Sequence, residues 1–315
     1  MKISFIIPCY GSEFTVEKVI DEIIDKIAEK PEYSYEIITI NDCSPDNVLN
    51  VLKRLAKENK NIKVIDFAKN MGKHSALMAG YKYCQGDIIV GVDDDYQCPV
   101  NRLWDLLEPL FQGYDVSIAK YGYKKESLFR NLGSYVNGEM AHILIDKPRN
   151  LQLSNFSAMK KFIIDEILNY NNPYPYIDGL VLRATQNIAN VPMEDRERAY
   201  GKSGYTLKKL IKQILNGFTA FSVKPLRVAT VTGILFSILG LIYVAYIIVN
   251  KILNPQVATG WSSVMAALLI IGGIILFMLG MIGEYIGRIY ISINNSPQYV
   301  IREKYNIEDD KYVKK

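Results

Sequence analysis

Cysteine and histidine are scarce in this chain. The 315 residues include only four cysteines, Cys9, Cys43, Cys84 and Cys98, and no two form a CxxC pair. That spacing argues against a disulfide framework or a cysteine zinc site, and the four read as reduced, buried thiols. The two histidines, His74 and His142, lie far apart without ligand spacing, which argues against a histidine-based zinc site. Charge of one sign is also lacking. A net charge of +4, spread along the chain, is too weak for a nucleic-acid partner and suits a basic rim facing a membrane. Met1-Lys2 runs straight into a strand-like segment, which is expected to leave no room for a signal peptide.

Two stretches lack charge altogether: Val228 to Asn250 and Trp261 to Gly283. Each is long enough, as a helix, to cross a hydrocarbon core of roughly 30 Å. Lys208, Lys209, Lys212, Lys224 and Arg227 precede the first, and Arg288, Arg302 and Lys304 follow the second. The link between them carries one cation, Lys251. The positive-inside rule then puts both termini and the remaining chain in the cytoplasm of a multi-pass inner-membrane protein. Leu207, Leu210, Ile211, Ile214, Leu215 and Phe218 alternate with lysines at helical spacing, as in a helix lying on the inner leaflet. The expected divisions are a head over 1–203, an amphipathic interface helix over 204–225, two membrane helices within 226–290 (about 228–250 and 261–283), and a cytoplasmic tail over 291–315.

The head alternates strand and helix. Strands are expected at Ile3–Pro8, Glu36–Ile40, Ile62–Phe67, Ile88–Val92 and Val116–Ala119. Helices are expected at Phe14–Lys30, Asp46–Glu58, His74–Cys84 and near Val100–Phe111. Such alternation implies right-handed βαβ crossovers and a parallel sheet. The run Ile88–Val92 ends in Asp93-Asp94-Asp95, and ligands of open α/β sheets bind beyond the carboxyl ends of strands. Adjacent carboxylates repel unless a cation neutralises them, and Asp oxygens suit hard divalent ions that also hold phosphates. Polar clusters also follow the first two strands, at 8–13 and 41–46. Three such clusters on one sheet edge describe a nucleotide pocket.

Ile6-Ile7-Pro8-Cys9-Tyr10, the segment Glu36 to Asp46, Asn70-Met71-Gly72-Lys73-His74-Ser75-Ala76 and Asp93-Asp94-Asp95-Tyr96-Gln97-Cys98-Pro99 together resemble the ordered motifs of family 2 glycosyltransferases. The match is to the polyprenyl-phosphate branch related to dolichol-phosphate mannose synthase. Arg198-Ala199-Tyr200-Gly201-Lys202-Ser203, Pro225-Leu226-Arg227 and the segment Gly283 to Tyr290 extend the likeness over nearly the whole chain. The resemblance implies a Rossmann-like GT-A head of the α/β class that binds an NDP-sugar through Mg²⁺ or Mn²⁺. By the same resemblance Pro8, Tyr10 and Glu13 would line the nucleotide pocket, Asp42 would contact the base, and Asp93 would lie near nucleotide and ribose. Asp95 would ligate the diphosphate-bound metal, with Gln97 close to the sugar. Arg198 and Ser203 belong to a loop that closes on the phosphate and acceptor, and Lys73, Asp94 and Asn155 complete the expected substrate-binding set. The implied activity is transfer of one sugar, by family analogy from a UDP-hexose, to polyprenyl (undecaprenyl) phosphate, with inversion. Family members also form homo-oligomers, including tetramers.

The chain departs from that pattern at several places. Asn41 replaces the first Asp of a common Asp-Asp pair, Cys98 stands where an acid or Asn is frequent, and Leu153–Met159 offers Asn155 and Ser157 where relatives often carry Asp and Arg. The catalytic base is therefore open. Asp178 suits the acceptor-side acid by its order along the chain, and it equally suits the N-cap of a helix over Gly179–Thr185. A phosphate acceptor with second pKa near 6 needs little deprotonation. Two other functions remain beside this one. A processive polysaccharide synthase would carry Gln-x-x-Arg-Trp, and neither Trp104 nor Trp261 lies in that context. A non-catalytic membrane anchor or lipid-carrier flipping subunit is suggested by Asn41 and Asn155, and opposed by Asp93, Asp95 and Arg198.

Overall fold

The computed structural model describes residues 1–122, 142, 147–194, 196, 224–253, 260–294 and 296–307. Arg198, Ser203 and residues 204–223 of the expected interface helix lie outside them. The chain forms two compact units: Met1–Leu207 with Asn295–Lys315, and Lys208–Asn294.

The first unit is built on an eight-stranded sheet of order β7-β5-β6-β4-β1-β2-β3-β8. Strands β1 (Lys2–Cys9), β2 (Ser34–Asn41), β3 (Ile62–Phe67) and β4 (Ile88–Gly91) are parallel neighbours through β3-β2-β1-β4. Their crossovers are α1 (Val16–Ala28), α2 (Val48–Glu58) and α3 (Lys73–Tyr83). A 3₁₀ turn at Val100–Arg102 leads into α4 (Leu103–Phe111), followed by β5 (Val116–Tyr121) and β6 (Ser157–Lys160). Then come α5 (Lys161–Leu168), α6 (Ile177–Ala184) and β7 (Ile188–Met193). Strand and helix alternate as read from the sequence, with ends differing by a residue or two.

The sheet itself is mixed, not parallel throughout. β6 runs antiparallel to both β4 and β5. A second departure involves the C-terminus, where Ile301–Tyr305, within the expected tail, forms β8 antiparallel to β3. Both outer strands carry features that suit an edge. Pro192 in β7 has no N–H to donate, and β8 presents Arg302, Glu303 and Lys304 in a row.

Alternation along β1 decides which helices cover which face. Ile3, Phe5, Ile7 and Cys9 join a core with Val19, Ile20 and Ile23 of α1, Leu52 of α2 and Leu103, Leu106 and Leu107 of α4. Ile6 points to the opposite face, under α3. A Cβ at Gly80 would lie 2.4 Å from the Ile6 side chain, so only glycine lets α3 approach this closely. Both faces are thus covered, as parallel strands require.

The second unit contains α7 (Lys224–Leu253) and α8 (Trp261–Ile293). Both helices run past the charge-free stretches. Among the described residues one segment, Ile270–Ile293, is long and apolar enough to cross a membrane, and Thr230–Gly240 is a shorter apolar segment.

Glu36 is a buried charge on which the start of the sheet depends. It is 1% exposed, and Lys63 and Lys2 approach it at 2.7 and 3.0 Å. The Ser4 hydroxyl and the Gln85 N–H donate to its other oxygen at 2.5 and 2.6 Å. Burial alone would raise its pKa, but the hydrogen bonds from Lys63, Ser4, Gln85 and Lys2 hold it below the usual glutamate value. A lowered folded pKa adds stability above the unfolded value, lost as pH falls through the folded one. Glu36→Gln is therefore expected to lose about 2–4 kcal/mol at neutral pH in denaturant titrations. Its acid limb should also be flatter than that of the unaltered protein, and equal stability at pH 7 would contradict this role.

Candidate functional site

The parallel strands β1 to β4 deliver their carboxyl ends to one edge, and each following loop turns through a left-handed residue. These are Gly11 after β1, Cys43 after β2, Gly72 after β3 and Tyr96 after β4, with φ of 71°, 50°, 86° and 63°. Gly11 and Gly72 adopt that geometry freely. Cys43 and Tyr96 do so against side-chain sterics, a strain of about 1–3 kcal/mol each that concentrates at functional loops.

Acidic side chains lace these loops together. Asp42, 4% exposed, accepts from the Met71 N–H at 2.7 Å and the Gly72 N–H at 2.8 Å. Burial raises its pKa and these two bonds pull it back. The residue expected to contact a base thus has both oxygens on the loop that leads into α3. Asp46 accepts from the Glu13 N–H at 2.9 Å, and Glu13 accepts from the Asn47 N–H at 2.8 Å, so the first two loops hold each other reciprocally. The Ser44 hydroxyl joins them, accepting from the Gly11 N–H and donating to Asp46. Asp94 accepts from the Tyr10 N–H at 2.8 Å, and its carbonyl accepts from Thr15. Burial pushes the Asp94 carboxyl up to about 6. Asp94, Glu13 and Asp42, expected to bind substrate, all brace the edge; the Tyr10 ring is exposed beside it.

The residues left for chemistry surround a cavity at the end of β4. Pro8, Lys73, Asp93, Asn155 and Asp178 line it, above apolar side chains that include Ile118 and Val181. Lys73 makes an ion pair with one oxygen of Asp93, and the Asn155 amide donates to the other at 2.8 Å. Asp178 lies in the first turn of α6; Tyr176 holds the N-cap position, so the expected cap at Asp178 is corrected. Burial pushes Asp178 up to about 6, against the lowering effects of Lys73 and a Tyr176 hydrogen bond. His74 accepts from the Ile177 N–H at 3.4 Å, and burial with the Lys73 charge brings it down to about 4. It is neutral at pH 7.

Asp95 accepts from the Gln97 N–H at 3.1 Å, and the Gln97 amide donates to the Arg196 carbonyl. Arg196 grips Glu22 of α1 through two nitrogens, at 2.7 and 2.8 Å, and lies over the Tyr96 ring. Sequence reasoning stopped at Arg198 and missed it. Its only advance signal was its place two residues before that motif.

The glycosyl transferase family 2 pattern matches residues 4–170, and the GtrB C-terminal hairpin matches residues 224–289. The chain belongs to glycosyl transferase family 2. It is similar to the uncharacterized glycosyltransferase YkcC of Bacillus subtilis (strain 168), 31% identical over 97% of this chain and 95% of that one. The undecaprenyl-phosphate 4-deoxy-4-formamido-L-arabinose transferase of Proteus mirabilis is 28% identical over 96% of this chain and 93% of its own. A bactoprenol glucosyl transferase of Shigella flexneri is 29% identical over 97% and 99%. The protein is therefore a glycosyltransferase with a GT-A head of the Rossmann-like α/β class.

A GT-A glycosyltransferase of this family calls for a divalent ion, and the donor set can be tested against one. Among the described residues no three His, Cys, Asp or Glu side chains converge as a cage. The acids after β4 diverge: Asp93 toward Lys73, Asp94 toward Tyr10, Asp95 toward its own loop. One carboxylate with substrate phosphates is a common way to hold Mg²⁺. Asp95 fits that arrangement; a preformed protein cage does not.

The Asp42 clamp yields a direct prediction. Asp42→Asn retains one acceptor oxygen but turns an NH₂ toward a backbone N–H, so one of the two bonds is lost. Hydrogen exchange at Met71 and Gly72 should accelerate, with a stability loss of about 1–3 kcal/mol. Unchanged protection of both amides would refute the clamp.

Proposed function

We propose that this glycosyltransferase moves a single sugar from an NDP-sugar, a UDP-hexose, to polyprenyl (undecaprenyl) phosphate at the inner leaflet. An oxygen of the lipid phosphate attacks the anomeric carbon as the bond to the diphosphate oxygen breaks, with inversion. The observation that carries this reading is the pairing of a cavity lined by Lys73, Asp93, Asn155 and Asp178 with the C-terminal hairpin that follows the head. Relatives named for bactoprenol and undecaprenyl-phosphate transfer, similar along nearly their whole length, support the acceptor. The two long helices and the hairpin match support membrane spans, and the cations that flank them support a cytoplasmic head. A homo-oligomer, a tetramer by family analogy, belongs to the same reading.

Each residue then has a task. Asp95 would hold Mg²⁺ or Mn²⁺, which when bound neutralises charge on the departing diphosphate. Asp93, steadied by Lys73 and Asn155, faces the nucleotide and ribose, and Gln97 the sugar. Pro8, Tyr10 and Glu13 line the nucleotide, Asp42 and Asp94 shape its loops, and Arg198 and Ser203 close on the phosphate. Lys73 can exchange Asp93 for a substrate phosphate oxygen. His74, being neutral, serves packing against Tyr176, whose ring centroid lies 5.3 Å away.

Asp95→Ala should abolish transfer while the protein stays folded and membrane-bound, and excess EDTA should do the same. Retention of full activity in either case would remove Asp95 as the metal ligand.

The need for a base is tested through pH. The lipid phosphate, with second pKa near 6, attacks as a preformed anion. Asp178 also titrates at about 6, so the unaltered protein alone does not separate the two groups. Asp178→Asn should keep substantial turnover and a rate that still rises through roughly pH 6. Were Asp178 the base, the amide would cost on the order of 10² to 10⁴ in rate and flatten that rise, with donor affinity intact.

A further inference from the structure

The chain passes through both long helices before it returns to the head, where Gln298 donates to the Tyr170 and Asn172 carbonyls and the residues after it meet the edge strand β3. Tyr299 stacks on Phe67 at 5.3 Å, and β8 pairs with β3 over Val64–Phe67. From β8, Arg302 places one nitrogen 3.4 Å from Asp66 and donates from another to the Ala68 carbonyl at 3.2 Å. Asp66 is 1% exposed. Its other oxygen accepts from the Asn41 side-chain NH₂ at 2.7 Å, and the Asn41 Oδ1 accepts from the Ser44 N–H at 3.2 Å. Ser44 in turn binds Gly11 and Asp46, the contacts that join the first two loops.

This path has a direction. An ionised carboxylate only accepts, so Asp66 fixes the Asn41 NH₂ inward and leaves the amide oxygen for Ser44. Asparagine is required for this: an aspartate at position 41 would set two carboxylates against each other in a buried site. Arg302 supplies the countercharge. Without it the buried Asp66 charge is poorly compensated, which weakens its hold on the Asn41 amide and, through it, on Ser44.

We propose that Arg302 is a positioning residue for the donor nucleotide, acting through Asp66 and Asn41 to hold the loop at Ser44. The proposal rests on the reading that the nucleotide lies at the loops after β1 and β2. It gives the strand beyond the membrane hairpin a role in substrate binding, not only in closing the sheet.

The test compares two changes in the full-length protein. Asn306 also anchors β8, donating to the Ala56 and Ile62 carbonyls at 2.6 and 2.8 Å, but it does not touch Asp66. Arg302→Met should speed hydrogen exchange at residues 42–47 and weaken binding of the probe UDP by roughly threefold or more. Arg302→Lys should restore part of both effects, and it keeps the test available if the Met variant fails to fold. Asn306→Ala should lower thermal stability while leaving exchange at 42–47 and UDP affinity unchanged. Normal exchange at 42–47 in Arg302→Met, or an equal effect from Asn306→Ala, would overturn the proposal. A failure of UDP to bind the unaltered protein would fault the donor reading instead, and the exchange comparison would still judge the relay.

Discussion

Parallel pairing of β1 with β2 and β4 is the constraint from which the site follows. Cys9 lies opposite Asn41, and Ile6 opposite Gly91, so neighbouring strands end within a few residues of one another. Both faces of these strands are buried beneath helices, which leaves only the strand ends for polar chemistry. Four chain reversals then crowd one edge, and each needs a left-handed turn to enter its crossover. The crowding is stabilised by carboxylates that accept backbone N–H groups from a neighbouring loop.

That arrangement separates two uses of acidic residues. Asp42, Asp46, Glu13 and Asp94 have oxygens committed to main-chain donors, and they make the edge rigid. Asp93 and Asp178 instead line the cavity beside side-chain partners, where a substrate can displace or join the present partner, and Asp95 stands between the two groups with one oxygen on the Gln97 N–H. Preorganisation of this kind matters in phosphate chemistry, since little reorganisation remains when charge moves to the departing group. Lys73 sits where both uses meet, paired with Asp93 and close enough to Asp178 to oppose the rise that burial imposes on its pKa.

Much of this was legible in the chain. The period of Val16, Val19, Ile20, Ile23 and Ile27 marks α1, and the short apolar runs mark the strands, because burial on one or two faces imposes those periods directly. Asp93, Asn155 and Asp178, far apart in sequence, do meet at one cavity. The antiparallel insertion of β6 was not legible: Ser157–Lys160 is too short to show a period, and strand direction depends on chain outside it. β8 was hidden for a similar reason, since Arg302 and Lys304 read as charges flanking a membrane span. Their second role, pairing with an edge strand and a buried Asp66, is a tertiary fact. Asn41 looked like a lost acid and is explained by that same aspartate.

The central claim is that one sugar passes to a polyprenyl phosphate. The most direct measurement is mass spectrometry of the lipid fraction after the purified protein is incubated with undecaprenyl phosphate, a divalent cation and a panel of UDP-hexoses. The account predicts a lipid heavier by one hexose residue, with no further increments at long times. A ladder of added sugars, or UDP release with the lipid left unmodified, would contradict it.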